Sequence, residues 1–238
     1  MTVSKNDFSI LYQTVGKGTQ LLSGLRKGDE RWIIGPLGNG FSKKPKEKNL
    51  VLVGGGVGIP PLYHLAKELL GLKSPVSKKN IHVFLGARHK NLLLCQNDFK
   101  KLGVKITVAT DDGSKGRKGF VTEPLEDFLK IVDLKTTRIF TCGPTPMLRA
   151  VSKKAEDFKV PCEVSVEVPM ACGFGACLGC AIKVKERLTY GAVATSSQRR
   201  EVIQRSGGQA ATKDLKGYRF AIACCEGPVF EGDKILWD

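Results

Sequence analysis

Three cysteines, Cys172, Cys177 and Cys180, stand in the spacing C-x4-C-x2-C within Met170-Ala-Cys-Gly-Phe-Gly-Ala-Cys-Leu-Gly-Cys180. That spacing suits a [2Fe–2S] cluster, in which four thiolates complete two tetrahedral irons bridged by sulfide. A zinc site would favour paired C-x2-C knuckles, and this stretch holds one such pair. Gly173, Gly175 and Gly179 fit a loop that wraps a buried cluster, because it needs positive φ and close backbone approach. Backbone N–H groups freed from regular structure then point at sulfur. The fourth thiolate lies in Ala223-Cys-Cys-Glu-Gly-Pro228, where Cys224 and Cys225 are adjacent. Spacing leaves both open. Neighbouring side chains of extended backbone point to opposite sides, so one of the two faces the cluster.

A second set of residues could hold phosphate. Asn49–Val53 reads as a buried strand, Gly54-Gly-Gly-Val-Gly58 as a turn, and 62–70 as a helix. Strand, glycine turn and helix form the context of a dinucleotide phosphate loop, although the strict G-x-G-x-x-G pattern is not met. Further strands are expected at 81–85, 104–109 and 138–141, with helices at 92–102 and from Pro146 onward. The alternation implies a parallel doubly wound sheet that binds its ligand at the strands' carboxyl ends. Gly54–Gly58, Gly86–Arg88, Thr110–Ser114 and Cys142–Pro144 all fall on that edge. Upstream, Gly16-Lys-Gly-Thr19 turns from a strand at 8–15 into a short helix, another arrangement open to an anion.

The elements around these sets bound the class. The chain has 238 residues, enough for two small domains or one domain with a cofactor lobe. No run of about 18 apolar residues suggests a membrane span, and no secretory leader opens the chain. Eight cysteines without such a leader indicate metal ligation and a reducing cytoplasm. The formal charge of +15 comes from scattered lysines with few aromatics, which argues for a solvated basic surface and against nucleic-acid binding. Lys43–Lys48 reads as a domain boundary, and 31–34 as a strand before it. Strands are expected at 163–168, 181–184, 220–224 and 235–237. The polar, basic stretch 185–216 reads as a surface insertion, partly disordered.

Gly35-Pro-Leu-Gly-Asn-Gly-Phe41, Val53-Gly-Gly-Gly-Val-Gly-Ile59, Thr110-Asp-Asp-Gly-Ser114, Gly119-Phe-Val-Thr122 and Cys142-Gly-Pro-Thr-Pro-Met147 resemble the ferredoxin–NADP reductase superfamily. With the Met170–Cys180 and Cys224-Cys-Glu-Gly-Pro-Val-Phe230 stretches, the chain resembles the electron-transfer subunits of two-component, NAD-dependent dihydroorotate dehydrogenases. The resemblance implies an α/β plus β fold: a truncated flavin-binding β-barrel at 1–45, a doubly wound nucleotide-binding domain at 46–160, and a small C-terminal [2Fe–2S] domain at 161–238. It assigns the fourth ligand to Cys224, which starts the family pattern C-x-[DE]-G-P-V-F. It matches Gly16, Gly18 and Thr19 to the FAD pyrophosphate contact, Gly54, Gly55, Gly56 and Gly58 to the NAD phosphate loop, and Cys142 and Gly143 to the nicotinamide–flavin junction.

The implied activity is a relay from an FMN-containing dihydroorotate dehydrogenase subunit, in a heterotetramer, through [2Fe–2S] and FAD to NAD. A reductase subunit of a hydrogenase or of a ferredoxin:NADP transhydrogenase, and a cluster-only carrier, are the alternatives. The family's Arg-Pro-x-Ser flavin motif has no counterpart before residue 8, so the chain is expected to begin mid-barrel and to hold FAD weakly. NADP-specific members carry Ser-Arg where this chain has Asp111-Asp112, which implies NAD. Lys115, Arg117 and Lys118 nearby could offset the aspartates, and the aspartates could merely cap the turn at Gly113.

Overall fold

The structure is a computed structural model and describes residues 2–3, 7–71, 76–185 and 217–237. In chain order its elements are β1 (Thr2–Val3), β2 (Phe8–Ser9), α1 (Lys17–Ser23), β3 (Asn49–Gly55), α2 (Ile59–Gly71), β4 (Ile81–Ala87), α3 (Gln96–Leu102), β5 (Lys105–Thr110), β6 (Arg117–Lys118), α4 (Thr122–Leu129), β7 (Thr137–Cys142), α5 (Thr145–Asp157), β8 (Cys162–Ser165), β9 (Ala181–Lys185), β10 (Tyr218–Ile222), α6 (Ala223–Glu226) and β11 (Val229–Glu231).

Seven strands form the central sheet in the order β11-β8-β7-β3-β4-β5-β6. Every pairing is parallel except β11 with β8. Alternation along β3 explains why both faces are covered. Leu50 and Leu52 enter a core with Leu62, Ala66 and Leu69 of α2 and Phe99 of α3. Val51 and Val53 enter the opposite core with Leu125 and Leu129 of α4 and Leu148 and Val151 of α5. The sheet is therefore doubly wound, as expected. Helix α4 escaped the sequence reading because Thr122–Leu129 is short and Pro124 interrupts its apolar pattern.

Strands β8 and β11 bring the C-terminal segment onto the same sheet. Val164, Cys180, Ala223, Cys224 and Ile235 join the core under α4 and α5. Strands β9 and β10 pair as a separate antiparallel ladder. Ile235 adds an isolated bridge to Val184, so the final strand expected at 235–237 is reduced to one contact after a 3₁₀ turn. The insertion expected at 185–216 lies, beyond Lys185, outside the described residues.

Two early expectations are corrected. Pairing covers Phe8–Ser9 and not the whole of 8–15, and residues 31–34 form no strand. Their β-branched and aromatic side chains carry strand propensity, but propensity without a ladder partner leaves backbone groups to water. Trp32, Ile33 and Ile34 are accordingly exposed. Helix α1 forms as anticipated after Gly16.

One charged cluster ties the segments together. The Arg138 guanidinium on β7 contacts Glu47 of the linker at 3.1 Å, Glu163 of β8 at 3.1 Å and Glu231 of β11 at 3.2 Å. Glu163 also accepts from the Ser42 N–H at 2.8 Å. Burial alone would raise the Glu47 carboxyl, but the adjacent guanidinium together with the backbone N–H groups of Glu47 and Lys46 outweighs it and holds the group below its ordinary value. Removing the cation would strand Glu163, which is buried. Arg138→Met is expected to cost about 3 kcal/mol of stability in urea unfolding, with a large part regained in Arg138→Met/Glu163→Gln. A loss within about 0.5 kcal/mol would show the cluster to be dispensable.

Candidate functional site

The carboxyl edge of the sheet gathers the glycine clusters as its topology requires. β3 lies between β4 and β7, with Gly54 opposite Cys142 and Gly55 opposite Gly86. Gly54–Gly58 therefore meets Cys142–Gly143 across the edge. A Cβ on Gly58 would fall 2.4 Å from the Cys142 carbonyl and the Gly143 nitrogen. One on Gly55 would meet the Met147 sulfur at 2.9 Å. Gly56 supplies the positive φ, +52°, that starts the 3₁₀ turn into α2. These glycines are thus required by packing, and the same packing opens the turn for a phosphate at the helix start. Burial pushes the Cys142 thiol up to about 11, so it stays protonated at neutral pH.

Strand β5 ends at Thr110, and the two aspartates that follow have separate surroundings. Asp112 Oδ1 accepts from the Ser114 N–H at 2.9 Å and the Ser114 hydroxyl at 2.7 Å. Those hydrogen bonds hold its carboxyl below the ordinary value. Ser114 in turn accepts from the Lys90 N–H at 2.8 Å. Asp112 is therefore the cap of the turn through Gly113, at φ +76°. Asp111 is exposed, and its backbone N–H donates to the Ala87 carbonyl at the end of β4. Two of the neighbouring cations are engaged elsewhere. Lys115 Nζ contacts Gln96 Oε1 at 2.6 Å, and Arg117 pairs with Glu123 and Asp127 of α4.

At Gly16–Thr19 the threonine side chain is committed to the start of α1. Its hydroxyl oxygen accepts from the N–H groups of Val15 and Gly16 and donates to the Gly16 carbonyl. Gly16 and Gly18 have open space where a Cβ would stand, so the turn admits close approach of a ligand.

The cysteine loop runs from Met170 to Cys180 between β8 and β9. Gly173 and Gly175 take φ of +79° and +85°. Gly179 does not share this conformation; Leu178 takes it instead, at +57°. The loop turns back on Cys172, so the Cys177 N–H lies 3.5 Å from the Cys172 sulfur. Backbone N–H groups of Cys177 and Phe174 bring the Cys172 thiol down to about 6, favouring the thiolate that binds metal. Cys180 and Cys224 form a second pair, with the Cys224 N–H 3.4 Å from the Cys180 sulfur. Burial, then the two sulfurs beside it, push Cys224 up to about 12. A bound iron removes that penalty, because a coordinated thiol gives up its proton outright.

Among the described residues, no three His, Cys, Asp or Glu side chains gather tightly enough for one metal ion. A two-iron centre takes four thiolates, two to each iron, and the two cysteine couples joined by these N–H to sulfur contacts fit a [2Fe–2S] cluster. The fourth-ligand segment departs from expectation in one respect. Residues 223–226 form a helical turn, not the end of a strand, so Cys224 and Cys225 do not point in opposite directions. Their sulfurs lie 3.7 Å apart.

Sequence reasoning missed what holds this turn. Asn39 donates its backbone N–H to the Gly227 carbonyl at 2.5 Å. Its side-chain amide donates to the carbonyls of Cys225 at 3.3 Å and Glu226 at 3.1 Å. A Cβ on Gly38, at φ +67°, would fall 2.3 Å from the Gly227 carbonyl oxygen. The signal was an asparagine between glycines in Leu37-Gly-Asn-Gly40, a site where two backbones approach closely. Glu226 Oε1 accepts from the Ile222 N–H at 3.1 Å, and Arg219 pairs with the same carboxylate at 2.7 Å.

Comparison with known proteins agrees with this arrangement. Residues 52–153 match the oxidoreductase NAD-binding domain, and residues 167–193 match the iron–sulfur cluster binding domain of dihydroorotate dehydrogenase B. The chain is 37% identical to the dihydroorotate dehydrogenase B (NAD(+)) electron transfer subunit of Caldanaerobacter subterraneus subsp. tengcongensis, over 98% of this chain and 79% of that protein. It is 35% identical to the protein of the same name from Desulforamulus reducens, over 98% and 76%. A solved NADH-dependent reduced ferredoxin–NADP oxidoreductase, described in connection with flavin-based electron bifurcation, superposes with a TM-score of 0.70 at 32% identity. That match covers 95% of this chain and 68% of the other. This likeness along nearly the whole chain shows that the protein belongs to the family of dihydroorotate dehydrogenase B electron transfer subunits.

Proposed function

We propose that this chain carries electrons from a dihydroorotate-oxidising partner subunit through [2Fe–2S] and FAD to NAD, in pyrimidine biosynthesis. The loop bearing Cys172, Cys177 and Cys180, which matches a dihydroorotate dehydrogenase B iron–sulfur domain and has the Cys224 N–H against its Cys180 sulfur, carries this reading. When bound, the cluster supplies one-electron transfer and the flavin links it to two-electron hydride chemistry at the nicotinamide.

The chain's own residues position these groups. Cys172, Cys177, Cys180 and Cys224 hold the irons, with backbone N–H groups on Cys172 favouring its charged sulfur. Gly16 and Gly18 leave room for the FAD pyrophosphate. Gly54, Gly55, Gly56 and Gly58 admit the NAD pyrophosphate to the start of α2. Cys142 and Gly143, packed on Gly58, form the floor at the nicotinamide end, where a protonated thiol keeps negative charge away. Asp111 accepts from the adenosine ribose hydroxyl and repels a 2′-phosphate. The domains follow the same division: flavin-binding residues in 1–45, nucleotide binding in 46–160 and cluster binding in 161–238.

The partner is an FMN-containing catalytic subunit in a heterotetramer, and the complex is cytoplasmic, which suits eight free cysteines. Likeness to the ferredoxin–NADP oxidoreductase favours one second reading, a ferredoxin-linked reductase subunit. Dihydroorotate-dependent NAD reduction after mixing with the partner, against reduction by ferredoxin alone, separates the two.

Two outcomes test the sites. Cys172→Ser is expected to remove most of the iron and acid-labile sulfide, with folding preserved by far-UV circular dichroism. Full iron content in that variant would sink the ligand assignment. In NADH and NADPH diaphorase assays, Asp111→Ser is expected to move the kcat/KM ratio about tenfold toward NADPH, ~1.4 kcal/mol. Asp112→Ala, which breaks the turn cap, should instead lower both without changing the ratio. An unchanged ratio in Asp111→Ser would remove Asp111 from the specificity role.

A further inference from the structure

We propose that Cys225 is a second thiolate competent for the fourth-ligand position, so that the centre has five thiols for four ligand places. The inference rests on the cluster reading above and concerns a residue that reading leaves without a role.

Three observations carry it. The first is the shape of the ligand turn. In α6 successive side chains stand about 100° apart, not the 180° of a strand, so Cys224 and Cys225 share one side of the turn. Their sulfurs are 3.7 Å apart, near contact distance. The second is where those sulfurs lie. A Cβ on Gly175, in the middle of the cysteine loop, would fall 2.7 Å from the Cys225 sulfur. With the Cys224 sulfur 3.7 Å from that of Cys225, both sulfurs lie beside the same stretch of the loop. The third is the rigidity of the backbone beneath them. Asn39 holds the carbonyls of Cys225, Glu226 and Gly227, and Glu226 caps the turn at Ile222. Exchange then requires side-chain rotation and no rebuilding of the turn.

The two positions are not equivalent. Cys224 is buried and sits by Cys180, which makes it the resident ligand, whereas Cys225 is exposed. In the exchange, the bond from iron to the Cys224 sulfur breaks as the bond to the Cys225 sulfur forms. The proton lost by the incoming thiol passes to the outgoing thiolate, and no electron moves. An exposed ligand changes the solvation of the centre, so the two forms differ spectroscopically.

The test uses the full chain purified anaerobically, with iron, acid-labile sulfide, visible circular dichroism and electron paramagnetic resonance after dithionite as readouts. Cys224→Ala and Cys225→Ala are each expected to keep at least about half of the wild-type iron, and Cys224→Ala/Cys225→Ala less than about a tenth. Cys225→Ala should retain the wild-type spectrum, and Cys224→Ala should show a shifted one. If Cys224→Ala and the more space-filling Cys224→Val both lose iron as fully as Cys172→Ala, the proposal is overturned while the cluster reading stands. Iron retained in the double variant also overturns it. Wild-type protein without iron would overturn both, and that outcome is distinct from the others.

Discussion

The arrangement depends on a single guanidinium. Arg138 sits at the start of β7 and is shared by carboxylates from three separate stretches: the linker through Glu47, β8 through Glu163 and β11 through Glu231. Three negative charges in a half-buried place are costly unless a cation with several donors stands among them, and arginine has the planar fork for that. A lysine would offer one compact charge and could not reach the same partners together. The consequence is geometric. The C-terminal strands are fixed on the nucleotide-binding sheet, and the segment before the linker is fixed to β8 through Ser42.

Close backbone approach is the second constraint, and it explains the glycines better than phosphate binding alone. Gly58 lies against the Cys142–Gly143 peptide, and Gly38 lies against Gly227, at separations that no side chain permits. A larger residue at either place would push apart two loops that the proposed reaction needs together. Phosphate affinity is a secondary benefit of a turn already made bare by packing.

The sheet and its two cores were legible in the sequence because Leu50–Val53 and its sister strands carry long apolar runs between glycine turns. The cysteine loop was legible for a different reason, since ligand spacing is a chemical constraint that survives without periodicity. Legibility failed where a local signal required a distant partner. Residues 31–34 look like a strand but find no ladder, and Ala223–Glu226 continues the apolar pattern of β10 yet coils into a turn. The cause of that turn is long-range: Asn39 takes the carbonyls that a strand would have presented to a neighbour, and Gly38 permits the close approach. Arg138 was invisible for the same reason, because its three partners are scattered along the chain.

These contacts join the proposed sites by one line of strand pairing and hydrogen bonds across neighbouring segments. Cys142, at the nucleotide edge, is opposite Ser165 in the β7–β8 pairing. Ser165 is opposite Val229 in the β8–β11 pairing, one strand further out. The Val229 N–H donates to the Asn39 carbonyl, and Asn39 in turn holds the ligand turn at Cys225–Gly227. The proposed nicotinamide floor, the end of the proposed flavin-binding segment and the proposed fourth-ligand turn are thus linked through four successive steps of strand pairing and hydrogen bonding. Electron transfer needs short, fixed separations, and backbone ladders supply them more rigidly than side-chain contacts, whose rotamers cost entropy to hold. Placing β8 and β11 on the edge of the nucleotide-binding sheet, instead of in an independent lobe, is what makes such a line possible.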